Sequence, residues 1–342
     1  MPGLFEDLHW RGLVHQVTDP ELPRVLSGGP VTLYIGFDPS ADSLHVGHLQ
    51  QLCLLRRSQA AGHRPIGLIG GATGMIGDPS GKNEERNLLD PGELAANQAA
   101  VTQQVRSFLA AGDGEFLVVD NSEWLASVRL VDFLREVGKA FTVNEMVRKD
   151  SVRSRLEGRD QGLSYTEFTY QLCQAWDFVQ LYNRHGCRLQ LGGSDQWGNI
   201  TEGVDLVRRL AGGRAFGLTS PLVTKADGTK FGKTETGTVW LSAARTSPYR
   251  FFQFWYRTAD AEVVSYLKRF SFLGPDDIAD LEKATAREPE RRGAQAALAW
   301  EMTAMVHGPE AARAAEAASR VLFTPEVASL DADALQSALA DA

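Results

Sequence analysis

His45 and His48 stand three residues apart in the run Phe37-Asp38-Pro39-Ser40-Ala41-Asp42-Ser43-Leu44-His45-Val46-Gly47-His48, which follows an apolar stretch and opens a helical one. That spacing brings two imidazoles to one side of a helical turn, beside the N–H groups that a helix start leaves unpaired, and the combination suits a chain of phosphates. Gly47 lets a bulky ligand come close to the backbone. The same residues also read as a zinc pair, although no Glu or third ligand stands at metal spacing, or as a solvated helix end. Lys230 and Lys233 repeat the spacing in Lys225-Ala226-Asp227-Gly228-Thr229-Lys230-Phe231-Gly232-Lys233-Thr234-Glu235. Ammonium groups on a flexible loop can follow negative charge as it moves toward a transition state. Alone, the run reads first as a lysine-bearing hairpin turn.

These residues need a scaffold, and the pattern supplies one. From about 30 to 245, short apolar runs bounded by glycine alternate with longer segments of helical period, as in a parallel sheet with crossover helices. Strands are predicted at Val31 to Phe37, Pro65 to Ile69, Phe116 to Val119 and Arg188 to Leu191. Helices are predicted from Leu49 to Ala61, with Gly62 as the C-terminal cap, and around Leu94 to Leu109 and Val131 to Val137. A further helix runs from Ser164 to about Tyr182, its start fixed by the S-x-x-E capping box of Ser164 and Glu167. Phe168, Leu172, Ala175 and Val179 repeat on one face and are expected to pack inward. Tyr170, Gln174 and Asp177 repeat on the other, which by itself reads as a solvated face. From Ser247 onward the strands stop and helices follow one another, with breaks at Gly274-Pro275, Pro289 and Gly308-Pro309.

Composition narrows the function classes. Lys and Arg number 35 and Asp and Glu 43 among 342 residues, a formal charge of −8, so no general basic surface advertises nucleic acid. With 43% hydrophobic and 23% charged residues the chain is an ordinary globular one, which excludes disordered and fibrous folds. The start is acidic where a secretory signal is basic, and no apolar run approaches ~18 residues. Cys53, Cys173 and Cys187 are odd in number and lack CxxC spacing, which suits a reducing compartment and predicts a cytoplasmic protein.

The HxGH run after the first strand and the KxxKT run after the last form a paired signature. With Tyr34-Ile35-Gly36-Phe37-Asp38, Gly70-Gly71-Ala72-Thr73-Gly74-Met75-Ile76-Gly77-Asp78-Pro79-Ser80-Gly81-Lys82 and Gly192-Gly193-Ser194-Asp195-Gln196-Trp197-Gly198-Asn199, the chain resembles the bacterial tyrosyl-tRNA synthetases, class I aminoacyl-tRNA synthetases, from its start to about residue 325. The resemblance implies an α/β fold: a Rossmann-like parallel sheet in residues 1–245 with a helical insertion around 92–155, then an all-helical domain over 246–342. It implies L-tyrosine, ATP and tRNA(Tyr) as partners, Mg2+ accompanying ATP without a dedicated protein site, and a homodimer built through the catalytic domain.

On that resemblance Tyr170 and Gln174, with Asp78, hold the substrate ammonium group. Asp177 and Tyr34 meet the phenol, and Gln196 sits near the reacting carboxylate. Gly36, Asp38, Ser40, Gly47, Gly193 and Asp195 match the nucleotide and adenylate site. His45, His48, Lys82, Arg86, Lys230, Lys233 and Thr234 match the groups that meet the phosphates. Ile35 stands where some relatives carry a small polar residue facing the ribose. Bacterial relatives generally continue into a basic C-terminal domain that grips the tRNA variable arm; nothing basic follows here, so this chain is expected to activate tyrosine and to charge tRNA weakly.

Rival readings are weaker. A P-loop at Ser80-Gly81-Lys82 needs glycine at 76 and a hydroxyl at 83, where Ile76 and Asn83 stand. No G-x-G-x-x-G follows Ile69. A tryptophanyl relative shares the ATP motifs, but an indole N–H needs only an acceptor, not the pair Tyr34 and Asp177. A synthetase-derived RNA-binding protein without catalysis would be expected to show damaged histidine or lysine motifs, and these are intact.

Overall fold

The computed structural model describes residues 3–80, 90–149, 152–153, 156, 162–224, 231–234 and 237–322. Two compact units emerge, Met1–Asp42 with Gln51–Leu222 and Ser43–Gln50 with Val223–Ala342.

Six strands of the first unit form one sheet: β1 (Gln16–Val17), β2 (Thr32–Phe37), β3 (Arg64–Ile69), β4 (Leu117–Asp120), β5 (Cys187–Gly193) and β6 (Phe216–Ser220), in the order β1-β6-β5-β2-β3-β4. All pairings are parallel except β1 with β6. The four predicted strands are present with ends shifted by at most two residues. Pro65 to Ile69 and the whole of β6 are buried, as expected of parallel strands covered on both faces. The chain runs outward through β2, β3 and β4, then returns to place β5 and β6 on the other side of β2. At such a reversal the loops leaving the carboxyl ends diverge and open a crevice.

Around the sheet lie α1 (Leu4–Trp10), α2 (Leu22–Ser27), α3 (Val46–Ala60), α4 (Pro91–Ala110), α5 (Ser122–Leu125), α6 (Leu130–Glu136), α7 (Val143–Met146), α8 (Tyr165–His185) and α9 (Trp197–Leu206). The first residues of α3 belong to the second unit and the rest to the first. Helix α4 starts where Asp90 accepts from the Gly92 N–H at 2.8 Å and Pro91 occupies the first position. Its buried residues Leu94, Val101, Val105 and Phe108 lie on one face, and Val105 fills the space over Gly67 of β3.

Helix α8 begins as the capping box predicts, with Ser164 Oγ accepting from the Glu167 N–H at 3.2 Å. It ends at Gly186, whose φ of +62° places it in the left-handed region that terminates helices. Its apolar face is buried at Leu172, Ala175 and Val179, and so is its polar face at Tyr170 and Asp177. The solvated-face reading is therefore overturned: these polar groups point into protein.

The second unit holds β7 (Lys233–Thr234), β8 (Gly237–Thr238), α10 (Pro248–Tyr256), α11 (Asp260–Phe270), α12 (Pro275–Arg287), α13 (Gly293–His307) and α14 (Pro309–Leu322). Helices α12 and α14 start at the prolines that follow the predicted glycine breaks. Helix α10 packs on α13 and α14, with the buried Phe251 ring edge-on to His307 of α13 at 4.8 Å.

Candidate active site

At the carboxyl ends of the first unit's strands a hydrogen-bonded network joins several sequence-predicted residues. Asp38, just past β2, accepts from the Thr73 hydroxyl at 2.8 Å and from the Tyr170 hydroxyl at 2.9 Å. Asn121, just past β4, donates to Thr73 Oγ1 at 2.9 Å and to Asp177 Oδ2 at 3.0 Å. The Trp124 indole donates to Asp177 Oδ1 at 2.7 Å. Burial pushes the Asp177 carboxyl up to about 8, against the lowering influence of these two donors.

Tyr34 of β2 is 1% exposed, its ring edge-on to Phe178 at 5.2 Å. Burial, then the charge of Asp177, raises its phenol above the ordinary value. Its hydroxyl has no hydrogen-bond partner among the described residues. An orphaned buried hydroxyl costs about 1–3 kcal/mol unless a ligand satisfies it.

A second network gathers Asp78, Gln174 and Gln196. Gln196 donates to Asp78 Oδ2 at 2.6 Å and accepts from Gln174 Nε2 at 3.1 Å. Asn199 Nδ2 lies 2.9 Å from Gln174 Oε1 and 3.3 Å from Gln196 Oε1. Asp78, Asp177 and Asp195 have no ion-pair partner among the described residues, and burial raises the carboxyls of Asp177 and Asp195, with the charge of Asp78 adding to the effect on Asp195. An added Cβ at Gly36 would meet nothing within 4 Å, leaving open space beside the end of β2. At Gly193 it would run into the Asp195 carboxylate at 2.5 Å. Ser40 is exposed, and Ile35, at 3% exposure, belongs to the core.

The histidines belong to the second unit. Gly47 N–H donates to His45 Nδ1 at 3.0 Å, so His45 caps α3 with its own ring. The His45 N–H donates to His48 Nδ1 at 3.3 Å, and the rings lie 4.0 Å apart. Because both Nδ1 atoms accept, each neutral imidazole carries its proton on Nε2. This changes the expected chemistry. The Val46, Gly47 and His48 N–H groups are already satisfied by Val239 O, His45 Nδ1 and His45 O, so these helix-start amides are not unpaired as the sequence reading expected. The space over Gly47 is likewise taken by the His45 ring, 2.7 Å from where a Cβ would sit.

A backbone ladder ties this segment to the lysine run. Val46 N–H donates to Val239 O at 3.0 Å, Leu241 N–H to Leu44 O at 2.8 Å, and Val239 N–H to Gly232 O at 3.0 Å. Lys233 then pairs with Thr238, and Thr234 with Gly237, in the β7-β8 hairpin. Lys82, Arg86 and Lys230 lie outside the described residues.

Sequence reasoning missed Thr73, Asn121, Trp124 and Asn199. An asparagine directly after a strand was a usable signal for Asn121. Nothing local marks Trp124. Tyr170 is bonded to Asp38 where the resemblance grouped it with Asp78.

The sequence model of the tRNA synthetases class I (W and Y) matches residues 26–324. A tyrosine–tRNA ligase of Roseiflexus castenholzii is 56% identical over 335 residues, covering 97% of this chain and 78% of the relative. One from Geobacillus stearothermophilus is 52% identical over 342 residues, covering 99% and 81%. Among solved structures, a C-terminally truncated mitochondrial tyrosyl-tRNA synthetase of Aspergillus nidulans superposes with a TM-score of 0.86 at 32% identity, over 94% of this chain and 95% of that one. Within the class I synthetases, the chain belongs to the tyrosine–tRNA ligase family.

Proposed function

We propose that this enzyme activates L-tyrosine with ATP and then transfers the tyrosyl group to tRNA(Tyr). A tyrosine carboxylate oxygen attacks the α-phosphorus, the bond from that phosphorus to the bridging oxygen breaks, and tyrosyl-adenylate and pyrophosphate form. No side chain acts as nucleophile; the protein aligns the reactants and stabilises charge on the phosphates. The observation that carries the reading is the buried, unpartnered Tyr34 hydroxyl in a pocket shared with Asp177, which suits a phenol able both to donate and to accept. Asp78, Tyr170 and Gln174 are assigned to the ammonium group, Gln196 to the carboxylate, and Gly36, Asp38, Ser40, Gly47, Gly193 and Asp195 to the nucleotide. His45, His48, Lys82, Arg86, Lys230, Lys233 and Thr234 are assigned to the phosphates.

Mg2+ is assigned to ATP itself. This ion usually keeps several waters and binds through substrate phosphates, so phosphate and water oxygens would be its ligands. A homodimer through the catalytic domain is supported by exposed apolar side chains on neighbouring helices of the insertion, Leu130, Val131 and Leu134 of α6 and Val143 of α7. Assignment to the cytoplasm is supported by three buried cysteines that form no disulfide. Among the described residues no helix is long and apolar enough to cross a membrane.

Purified protein is expected to catalyse tyrosine-dependent exchange of pyrophosphate into ATP. Exchange with tryptophan and not tyrosine would sink the assignment.

Tyr34→Phe is expected to keep the pocket's shape and most activity while narrowing the preference for tyrosine over phenylalanine by about 10-fold or more, since one buried hydrogen bond to the phenol is lost. The free protein should not lose stability, because the deleted hydroxyl is unsatisfied there. Competing kcat/KM values and a melting curve check both halves; unchanged discrimination places recognition of the phenol elsewhere.

A further inference from the structure

We propose that Tyr266 of α11 is a positioning residue for Lys233, acting through both flanks of the lysine segment; this rests on the assignment of Lys233 to the phosphates. Tyr266 is 5% exposed and touches the chain on both sides of residues 225–230. On one side its hydroxyl lies 3.4 Å from the Thr224 carbonyl oxygen and 3.0 Å from Glu262 Oε1. On the other its ring stands edge-on to Phe231 at 5.2 Å.

Phe231 is buried among four aromatic rings, with Phe254 at 5.4 Å, Trp255 at 5.6 Å and Phe270 at 5.5 Å completing the set. Edge-on and stacked rings at these separations attract beyond their buried area, and a packed aromatic cluster permits few alternative placements. Gly232 then turns the chain out of the cluster with a φ of +82°, a conformation that favours glycine. An added Cβ there would come within 2.6 Å of Val46 Cγ2, so the turn is pressed against the start of the histidine helix. Gly232 O accepts from Val239 N–H, and Lys233 follows as the next ladder residue. The Lys233 backbone is thus held by the ladder after Gly232 and by Phe231 before it, and Tyr266 is a wall of the Phe231 site.

The consequence is kinetic. A group that stabilises charge only in the transition state loses effect when displaced by a fraction of an ångström, and misplacement by about 1 Å can cost about 10²-fold. Deleting the Tyr266 ring opens space beside Phe231 and relaxes the Lys233 backbone, whereas the groups assigned to tyrosine belong to the other unit.

The test measures the single-turnover rate of adenylate formation and the KM for tyrosine in Tyr266→Leu and Tyr266→Phe, each alone and combined with Lys233→Ala. Tyr266→Leu should slow the step by about 10-fold with the tyrosine KM within about twofold, and Tyr266→Phe, which keeps the ring, should recover most of the loss. In the Lys233→Ala background Tyr266→Leu should add nothing, because the group it positions is gone. Phe231→Leu, acting from the other side of the same contact, should reproduce the pattern and serves if the Tyr266→Leu protein does not fold. A near-normal rate in both leucine variants beside a strong Lys233→Ala loss overturns the inference, as does full additivity with Lys233→Ala. A Lys233→Ala enzyme as fast as the parent removes the lysine assignment itself, and the inference with it.

Discussion

Asp177→Ala is expected to abolish tyrosine activation, lowering exchange by about 10³-fold or more. Asp177 Oδ1 and Oδ2 accept from the Trp124 indole and the Asn121 amide at 2.7 and 3.0 Å. Removing the carboxylate orphans two buried donors at about 1–3 kcal/mol each and takes away the proposed phenol acceptor. Asn121 is also bonded to Thr73, which holds Asp38, so the loss reaches the nucleotide side of the network. Circular dichroism must show a folded protein for the kinetic loss to count; exchange within 10-fold of the parent would mean that Asp177 is not the phenol partner.

The same residue predicts a pH dependence with a definite sign. Its carboxyl, ordinarily near 3.8, is pushed to about 8 in the folded protein. Between those values the native state holds a proton that the unfolded chain has released, so this group's contribution to stability is fullest at low pH and is lost as pH rises through that window. Urea midpoints compared at pH 5 and pH 9 should show a smaller decline in Asp177→Asn than in the parent.

Much of the scaffold was legible because parallel strands and capped helices carry local signals. The apolar run at Pro65 to Ile69, Ser164 before α8 and the glycine-proline breaks after residue 247 each reflect chemistry within a few residues. What was not legible depends on neighbours distant in the chain. Helical period divided α8 into two faces, but it cannot say whether a polar face meets water or protein. Asp177 is buried because Asn121 and Trp124, brought over from the end of β4 and from α5, cover it. Likewise β1 and β7 span two residues each and take their form from pairing with β6 and β8, so no two-residue period could announce them. Site residues were assigned where a resemblance supplied their roles; Thr73 and Asn199 stand within the glycine-containing runs that carry it but had no role attached, and Asn121 lies in no such run.

His48→Ala and Lys233→Ala are each expected to slow adenylate formation by about 10²- to 10³-fold while leaving tyrosine affinity within about twofold, the size of effect seen when one preorganised donor to a developing charge is removed. The structure gives a reason for the split. The groups assigned to tyrosine, namely Tyr34, Asp78, Tyr170, Gln174, Asp177 and Gln196, all belong to the first unit, where hydrogen bonds join members of the set to one another and to Asp38, Ser80, Asn121, Trp124 and Asn199. His48 and Lys233 belong to the second unit, joined by the ladder through Val46, Val239 and Gly232. Tyrosine binds before charge moves onto the phosphates, so a donor aimed at that charge contributes little to the first event and much to the second. For His48 the geometry is specific: Nδ1 is committed to the His45 N–H, so the imidazole donates through Nε2. Equilibrium titration with tyrosine, read by intrinsic fluorescence, gives the affinity, and rapid-quench measurement gives the rate. If either variant weakened tyrosine binding as much as it slowed the step, that residue would belong to the ground-state pocket and its assignment to the phosphates would fall.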